Sequence, residues 1–426
     1  MGKTYVGFGF GPIQSALFLY EAYQSGRFSR YVVSEVDASL VAAVRANGGG
    51  YAINIAHPDR VDRATVRGIE IYDPNAPADR EALVAAIAES DEMATALPSV
   101  GIYTAGNGTS VVKLLCAGLG RRASPRPTVV YTAENHNHAA EILAGHLSAA
   151  GCRNLKDVQL LNTVIGKMSG VISEEAVIAR LGLTTTTPGL RRAVLVEAFN
   201  RILVTRISLP GYKRGIEVFV EKPDLLPFEE AKLYGHNAIH AVIAYLADLK
   251  GLDTIAEAGR DGQIMDVARK AFIDESGEAL LRRHQKVGDP LFTPEGYRQY
   301  ADDLLARMVN PNLNDLVVRV GRDHVRKLGY DDRLYGTMRL ALEYGVQPCN
   351  LALGAAAGIV CMMRRRENIS PPPAALPAKF GDLTQESLGG LLEEVWQGKK
   401  DRHAGTLVDL TWNALHALHS RVMAGQ

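Results

Sequence analysis

The stretch 5-YVGFGFGPIQSALFL-19 joins a short apolar run to a helical one through glycines at positions 7, 9 and 11. A chain that turns sharply from a strand into a helix, and lets a pyrophosphate approach the helix N-terminus, needs glycines at the turn. When the motif G-x-G-x-x-G is read from Gly9, its third glycine is replaced by Gln14. The stretch therefore predicts a strand–turn–helix unit, either a dinucleotide-binding turn or a plain tight turn.

The next strand, in VVSEVD, ends at Glu35. A dinucleotide-binding fold places a carboxylate at this point, where it accepts hydrogen bonds from the adenosine ribose hydroxyls. The same carboxylate repels the additional phosphate of NADP, so Glu35 favours NAD as the cofactor. An exposed loop glutamate is the alternative, since Asp37 lies two residues further on.

Strand and helix patterns alternate from the N-terminus to about residue 195, and helical patterns dominate after it. This alternation predicts a parallel sheet with helices on its faces. The threonine- and glycine-rich stretch at 181–190 marks the expected boundary. We therefore predict a dinucleotide-binding, Rossmann-like α/β domain at 1–195 and a mostly α-helical substrate domain at 196–426.

The composition excludes several classes of function. Lys plus Arg equals Asp plus Glu, 47 against 47, so no overall field attracts nucleic acid or an anionic membrane. No apolar run reaches the roughly 20 residues that span a bilayer. The four cysteines form no C-x-x-C pair and no metal-ligand spacing. These features predict a cytoplasmic protein with no membrane or nucleic-acid partner.

One helical stretch, 232-KLYGHNAIHAVIAYLADLKG-251, carries polar residues that burial disfavours. On an α-helix Lys232, His236, His240 and Asn237 fall on one side. A lysine near a helix start and beside imidazoles is a candidate for a lowered pKa, and a neutral amine can remove a proton from an alcohol. The alternatives are a solvated face, or a metal site on the two histidines that lacks the glutamate of H-E-x-x-H.

The same stretch fits K-x-x-x-x-N-x-x-H, and the sequence resembles the polyol-specific long-chain dehydrogenase/reductases, the mannitol dehydrogenase family, over most of its length. FGFGPIQ is similar to the family's F-G-A-G-x-I-G, DEMATALPS to D-x-V-x-T-A-V-G-P, and TAEN to A-C-E-N. LLNTVIGKM resembles x-N-T/S-x-V-D-R-I, with Gly166-Lys167 replacing Asp-Arg. The resemblance implies a Rossmann domain, a helical second domain and NAD(P)-dependent, zinc-independent oxidation of a polyol.

The resemblance also implies roles for individual residues. Lys232 would be the general base, Asn237 and Asn162 would hold the reacting oxygen, and His240 would orient the substrate. Glu229 would assist proton exchange with solvent. No metal is expected. The residues expected to bind NAD are Gly7, Gly9, Gly11, Pro12, Ile13, Glu35, Thr95, Ala96 and Asn135.

A basic cluster lies in 309-VNPNLNDLVVRVGRDHVRKLGYDDR-333. Such a run is most often a solvated face, but this one resembles the family segment that lines the substrate cleft. VGRDHVRKL is most similar to the branch that acts on mannitol 1-phosphate. Because arginine pairs with phosphate through a planar fork, we predict that Arg319, Arg322 and Lys327 contact a polyol or its phosphate. A carboxylate or plain hydroxyls are the alternative ligands.

The resemblance thus implies an NAD-dependent oxidoreductase, a monomer or homodimer, that interconverts mannitol 1-phosphate and fructose 6-phosphate. Two alternatives of the same class are a dehydrogenase of a non-phosphorylated polyol and a hexuronate reductase. A third is an NAD-binding regulatory protein that has lost catalysis. The changes at Gln14 and Gly166-Lys167 support the third alternative, whereas the lysine, asparagine and histidine of the signature argue against it.

Overall fold

The computed structural model describes residues 2–106 and 108–423. The chain divides into two compact units, Met1–Leu226 and Pro227–Gln426. This division lies later than the predicted boundary at residue 195, because two short strands at Leu203–Thr205 and Val220–Lys222 extend the sheet of the first unit.

The first unit is built on strands whose neighbours are mostly parallel. In chain order they are β1 (Lys3–Phe8), β2 (Phe28–Ser34), β3 (Tyr51–Ala56), β4 (Val61–Val66), β5 (Ile69–Tyr72), β6 (Glu92–Thr95), β7 (Thr128–Thr132), β8 (Val158–Val164), β9 (Ser169–Ile172), β10 (Ala193–Glu197), β11 (Leu203–Thr205) and β12 (Val220–Lys222). The larger sheet has the order β12-β11-β8-β7-β6-β1-β2-β5, and it is parallel from β8 to β5. Because chain-adjacent parallel strands need crossover connections, this order is that of a doubly wound α/β sheet.

A second, smaller sheet has the order β4-β3-β10-β9, with β3 parallel to β10 and the outer pairs antiparallel. The strand patterns of the sequence did not predict it. Its inner strand β10 is wholly buried. This strand spans the predicted domain boundary at residue 195, yet it belongs to the core of the first unit.

Helices cover both faces of the large sheet. They are α1 (Leu19–Ser25), α2 (Ala38–Ala46), α3 (Pro77–Glu89), α4 (Val111–Gly120) and α5 (Ala139–Ala149), while a sixth helix, α6 (Glu175–Arg180), has no buried residue. Neighbouring residues of β7 belong to different cores: Tyr131 packs with Phe18, whereas Val130 packs with Leu115. Successive side chains of a strand point to opposite faces, so each face has its own hydrophobic layer. The predicted Rossmann-type parallel sheet is confirmed.

The second unit is helical. Its helices are α7 (Leu226–Glu230), α8 (Ala238–Leu249), α9 (Ile255–Ala258), α10 (Gly262–Lys270), α11 (Glu278–Arg283), α12 (Pro294–Met308), α13 (Val317–Gly321), α14 (His324–Lys327), α15 (Tyr335–Glu343), α16 (Cys349–Arg364), α17 (Gln385–Val395) and α18 (Ala404–Met423). Buried α8 is central and packs against α13 and α16. The predicted helical second domain is confirmed. Across residues 2–106 and 108–423, no helix has the length and apolar character needed to cross a bilayer.

Candidate active site

The glycine turn of the first unit follows β1 directly. Gly9 has φ +85°, and a Cβ there would lie 3.0 Å from the carbonyl oxygen of Ala96. Both facts favour glycine, because other residues rarely adopt this φ. A Cβ at Gly11 would meet nothing within 4 Å, so this side of the loop faces open space. The turn thus has the shape that lets a phosphate approach the backbone.

Gln14, the departure from the glycine motif, is accommodated inside the protein. Its side chain is fully buried and its Nε2 donates to the hydroxyl of Tyr5 at 2.7 Å. A Cβ at Gly7 would lie 1.8 Å from that nitrogen, so the glycine at position 7 makes room for Gln14. The following helical turn, Gln14–Phe18, is π-helical. The substitution therefore changes the packing behind the turn and leaves its open side unobstructed.

Glu35 ties the glycine turn to the end of β2. Its Oε2 accepts the backbone N–H of Phe10 at 2.7 Å, and its Oε1 accepts the N–H groups of Val36 and Asp37 at 2.7 and 2.9 Å. The predicted ribose carboxylate therefore lies beside the glycine turn. This placement fits the adenosine end of a dinucleotide.

A carboxylate that the sequence predictions did not include organises the loop after β6. Glu134 is buried and accepts hydrogen bonds from Thr95 Oγ1 and from the backbone N–H of Leu97, both at 2.9 Å, and from the hydroxyl of Tyr103. These contacts position the predicted cofactor residues Thr95 and Ala96, while Asn135 is exposed beside Glu134. Glu134 is part of the TAEN motif, but only Asn135 of that motif was predicted to bind NAD.

Asn162, predicted to hold the reacting oxygen, lies near the C-terminal end of β8. Its Oδ1 accepts the backbone N–H of Ala140 at 2.8 Å, and its Nδ2 donates to the carboxylate of Glu141, at 2.8 Å for the shorter contact. The amide thus contacts the first turn of α5.

The Gly166-Lys167 replacement has a structural role in the first unit. Lys167 is buried, and its Nζ donates to the carbonyl oxygens of Glu197 and Phe199 and to Asn200 Oδ1, at 2.6, 2.9 and 2.7 Å. The lysine therefore fixes the segment that follows β10. A buried ammonium needs such partners, because an unpaired charge is costly to desolvate.

In the second unit, the predicted catalytic helix is wider than an α-helix over its first turns. Residues Ala231–Asn237 are π-helical and run without a break into α8. A second π-helical segment, Ala271–Gly277, packs against it. Ser276 Oγ donates to the Tyr234 carbonyl at 2.8 Å, and a Cβ at Gly235 would lie 2.8 Å from the Phe272 ring. The arrangement of the polar side chains predicted for a regular α-helix therefore does not apply across this segment, because tertiary contacts widen it.

Lys232 lies in this widened turn. Burial lowers the pKa of the Lys232 amine to about 8, and the positive charge of Arg333 acts in the same direction, while Glu229 opposes both. Glu229 is itself buried, one turn earlier on the same helix. A lysine with this pKa is partly neutral at physiological pH, so it can accept a proton. Arg333 was not among the predicted site residues.

The two histidines of the helix differ in their environments. Their rings lie 6.0 Å apart. Burial lowers the pKa of His236 well below its usual value, and the charges of His240 and Arg307 add to this effect. His240 Nε2 lies 3.1 Å from Asp315 Oδ2, in a contact that is mainly electrostatic because the N–H is not aligned with the oxygen. Half-buried Asn237 lies between the two histidines in the chain.

The three predicted substrate-binding cations do not share one environment. Arg319 pairs with the buried carboxylate of Asp315, at 2.6 and 3.0 Å to Oδ1. Lys327 is buried and donates to the Val320 carbonyl, and burial lowers its pKa to about 7. The Arg322 side chain is 69% exposed and lines a separate cavity of about 1030 Å³ with residues such as Trp396. The structure thus brings Arg319 close to His240 through Asp315.

Asp315 is a second carboxylate that the sequence predictions missed, after Glu134. It precedes Arg319 by four residues, a spacing at which opposite charges pair along a helix, and this was the available signal. No cluster of three or more histidine, cysteine, aspartate or glutamate side chains arranged for a metal occurs among residues 2–106 and 108–423.

Comparison with known proteins identifies the family. The model of the mannitol dehydrogenase C-terminal domain matches residues 224–369. Mannitol-1-phosphate 5-dehydrogenase of Shouchella clausii is 32% identical over 295 residues, which cover 67% of this chain and 70% of the relative. The enzyme of the same name from Exiguobacterium sibiricum is 27% identical over 361 residues, covering 83% and 84% of the two chains.

Two solved structures share the fold. A substrate-free D-sorbitol dehydrogenase superposes with a TM-score of 0.78 at 15% identity and covers 99% of this chain and 94% of its own. Mannitol 2-dehydrogenase of Pseudomonas fluorescens, in complex with NAD and D-mannitol, gives 0.69 at 16% identity, with 100% and 93% covered. Because the 32% identical relative is matched over more than two thirds of its length, the chain belongs to the mannitol dehydrogenase family.

Proposed function

We propose that the protein is an NAD-dependent, zinc-independent dehydrogenase that interconverts a polyol phosphate and a ketose phosphate, with mannitol 1-phosphate and fructose 6-phosphate as the pair. The observation that carries the proposal is Lys232, whose pKa of about 8 suits a general base near neutral pH. The relatives named mannitol-1-phosphate 5-dehydrogenase support this substrate, and the complex of Pseudomonas fluorescens mannitol 2-dehydrogenase supports NAD.

The glycine turn and its surroundings fit the dinucleotide. The open space at Gly11 supports the approach of a pyrophosphate to the backbone, and the position of Glu35 beside the turn supports its proposed contact with the adenosine ribose. Thr95 ends β6, Ala96 follows it, and Asn135 follows the neighbouring strand β7, at the edge of the sheet where such folds bind ligands. NAD bound here would supply the acceptor for the hydride that leaves the substrate carbon. Gly7, Pro12 and Ile13 complete the proposed cofactor site.

In the oxidation direction, the neutral amine of Lys232 takes the proton from the substrate hydroxyl as the carbon–hydrogen bond breaks. Asn237 donates a hydrogen bond to the oxygen while it becomes a carbonyl, and His240 orients the substrate, whereas the same role for Asn162 stays a prediction. The protonated amine then returns its proton to solvent with the help of Glu229. In ketose reduction the same groups act in reverse, so the lysine begins protonated.

A non-phosphorylated polyol is the second candidate substrate, and one observation favours it. Of the cations proposed to bind phosphate, Arg319 is paired with Asp315 and Lys327 donates to a carbonyl inside the protein. Exposed Arg322 is then the least engaged of the three, and phosphate recognition usually recruits several charge-assisted donors.

The test is a substrate panel assayed by NADH absorbance. We expect NADH to form with NAD and mannitol 1-phosphate, and much less with NADP or with mannitol. Turnover of mannitol alone would select the second candidate, whereas NADH binding without turnover of any polyol, polyol phosphate or hexonate would indicate a regulatory protein. A cytoplasmic location and a monomeric or homodimeric state stay predictions, the former supported by the four free cysteines.

A further inference from the structure

The buried carboxylate of Asp315 lies between two residues of the proposed site. Its Oδ2 is 3.1 Å from His240 Nε2, and its Oδ1 accepts both Nη2 and Nε of Arg319, at 2.6 and 3.0 Å. The Asp315 side chain is 3% exposed, whereas that of Arg319 is 44% exposed. The arginine therefore reaches the carboxylate from the surface side, and the histidine contacts its other oxygen.

The two atoms of the contact between Asp315 and His240 are not engaged in other hydrogen bonds among the described residues. Among the described residues, neither His240 Nε2 nor Asp315 Oδ2 has a conventional hydrogen bond to any side chain or backbone group. Both atoms are buried, and a buried polar atom without any partner is costly. The 3.1 Å contact with the other atom is therefore the polar interaction that the described residues show for each of them.

The charges around the pair keep the carboxylate ionised. Burial alone would raise the pKa of Asp315, but His240 and Arg319 outweigh burial and leave the pKa below its usual value. The ring centroid of His236 lies 6.0 Å from that of His240, and the pKa of His236 is lowered well below its usual value, chiefly by burial and then by His240 and Arg307. The lowered pKa favours the neutral form of His236, and the Asp315 carboxylate is an anion that faces His240.

The backbone holds Asp315 in this position. Its carbonyl accepts the N–H of Ile255 at 2.9 Å, and the N–H of Val317 donates to the carbonyl of Asp253, also at 2.9 Å. An isolated β-bridge between Thr254 and Leu316 joins the same two segments. The carboxylate therefore comes from a segment anchored on both sides, as a group that orients another side chain requires.

We propose that Asp315 is a positioning residue that sets the orientation and the proton of the His240 imidazole, with Arg319 anchoring the carboxylate from the surface side. Because Nε2 is the ring nitrogen that lies 3.1 Å from Asp315 Oδ2, the carboxylate favours the tautomer with its proton on Nε2, and Nδ1 is then the atom available to a substrate oxygen. This inference deepens the proposed function and rests on it. It assigns Arg319 a role besides the predicted substrate contact.

The test compares Asp315→Asn with Asp266→Asn, which removes an exposed carboxylate from a lysine four residues away on α10. We expect the Asp315 variant to lose about 10- to 100-fold in kcat/KM for the polyol, with the affinity for NADH unchanged. The control variant should match the wild type. In a His240→Ala background the same Asp315 change should cost much less. An unchanged kcat/KM in the single variant, or the full loss in the His240→Ala background, would overturn the proposal.

A second measurement does not depend on turnover or on the stability of the variant. Imidazole nitrogen NMR of the wild-type protein, assigned by comparison with His240→Ala, should show the His240 proton on Nε2. A signal for His240 with a bare Nε2 and a proton on Nδ1 would contradict the proposal, because a bare nitrogen repels the carboxylate. Absence of activity on every substrate would instead count against the proposed function.

Discussion

The pH dependence of polyol oxidation should report the protonation state of Lys232. Burial and Arg333 lower the pKa of this amine to about 8. At pH 7 roughly one lysine in 11 is then neutral, compared with roughly one in 3000 at the ordinary pKa of 10.5. The lowered pKa thus provides roughly 300 times more of the free base at pH 7.

We therefore expect kcat/KM for oxidation with NAD to rise about tenfold per pH unit below pH 8 and to level off above it. Ketose reduction should show the opposite profile, because the amine must then start protonated. Both profiles are measured by NADH absorbance in buffers of constant ionic strength. A flat oxidation profile across the neutral range would refute the assignment of Lys232 as the base.

Two charge variants should move this midpoint in opposite directions. Arg333→Gln removes a charge that lowers the Lys232 pKa, so the midpoint should rise, whereas Glu229→Gln removes the opposing charge, so it should fall. Arg326→Gln is the matched control, because Arg326 also contacts Asp332 but has no influence on the lysine. Shifts of the same sign in the two variants would refute the electrostatic explanation. Lys232→Met should lower kcat by about 10²–10⁴-fold.

Three further predictions concern the packing around Gly7, the burial of His324 and the carboxylate of Glu35. Gly7→Ala should lower the free energy of unfolding by about 1–3 kcal/mol, because its Cβ would overlap Gln14 Nε2, and Gln14→Ala should restore it in thermal melts. Burial lowers the pKa of His324 to about 4. The unfolded chain binds the extra proton between pH 6.5 and 4, so stability present above this window is lost as pH falls through it, by about 3 kcal/mol. His324→Phe should flatten this limb in denaturant titrations. Glu35→Ser should raise the kcat/KM ratio of NADP to NAD by about tenfold, or roughly 1.4 kcal/mol.

The elements that follow from local patterns were predictable from the sequence. Glycines between an apolar run and a helical run predicted the turn at 5–19, and the strand–helix alternation predicted the parallel sheet. The second sheet was not predicted because β3 pairs with β10, which lies in a distant part of the chain. The local pattern of a strand does not indicate which other strand it pairs with. For the same reason, local patterns did not indicate that β11 and β12 join the large sheet. The predicted boundary at residue 195 therefore lies before Leu226, where the first compact unit ends.

The residues of the candidate site could be proposed from the signature, but their partners could not. The sequence places Arg319 and Lys327 in one basic run, and it gives no sign that one pairs with Asp315 while the other is buried against a backbone carbonyl. The partners of Glu134 were equally unpredictable, because the hydrogen bonds it accepts come from Thr95, Leu97 and Tyr103 in another segment. Motifs identify functional side chains, whereas the tertiary fold determines what else those side chains contact.

The widened helix gives the spacing of the signature a physical basis. On an α-helix, Lys232 and Asn237 would lie about 140° apart around the axis, at the two margins of the polar side. In a π-helix the backbone bonds run from i to i+5, so the fifth residue lies about one turn further along and on a similar side. The Ala231–Asn237 segment has this geometry, and the Ser276 hydroxyl satisfies the Tyr234 carbonyl within it. The wider form, which contacts from Ala271–Gly277 accompany, therefore brings Lys232 and Asn237 closer to one side of the helix, as their proposed roles require.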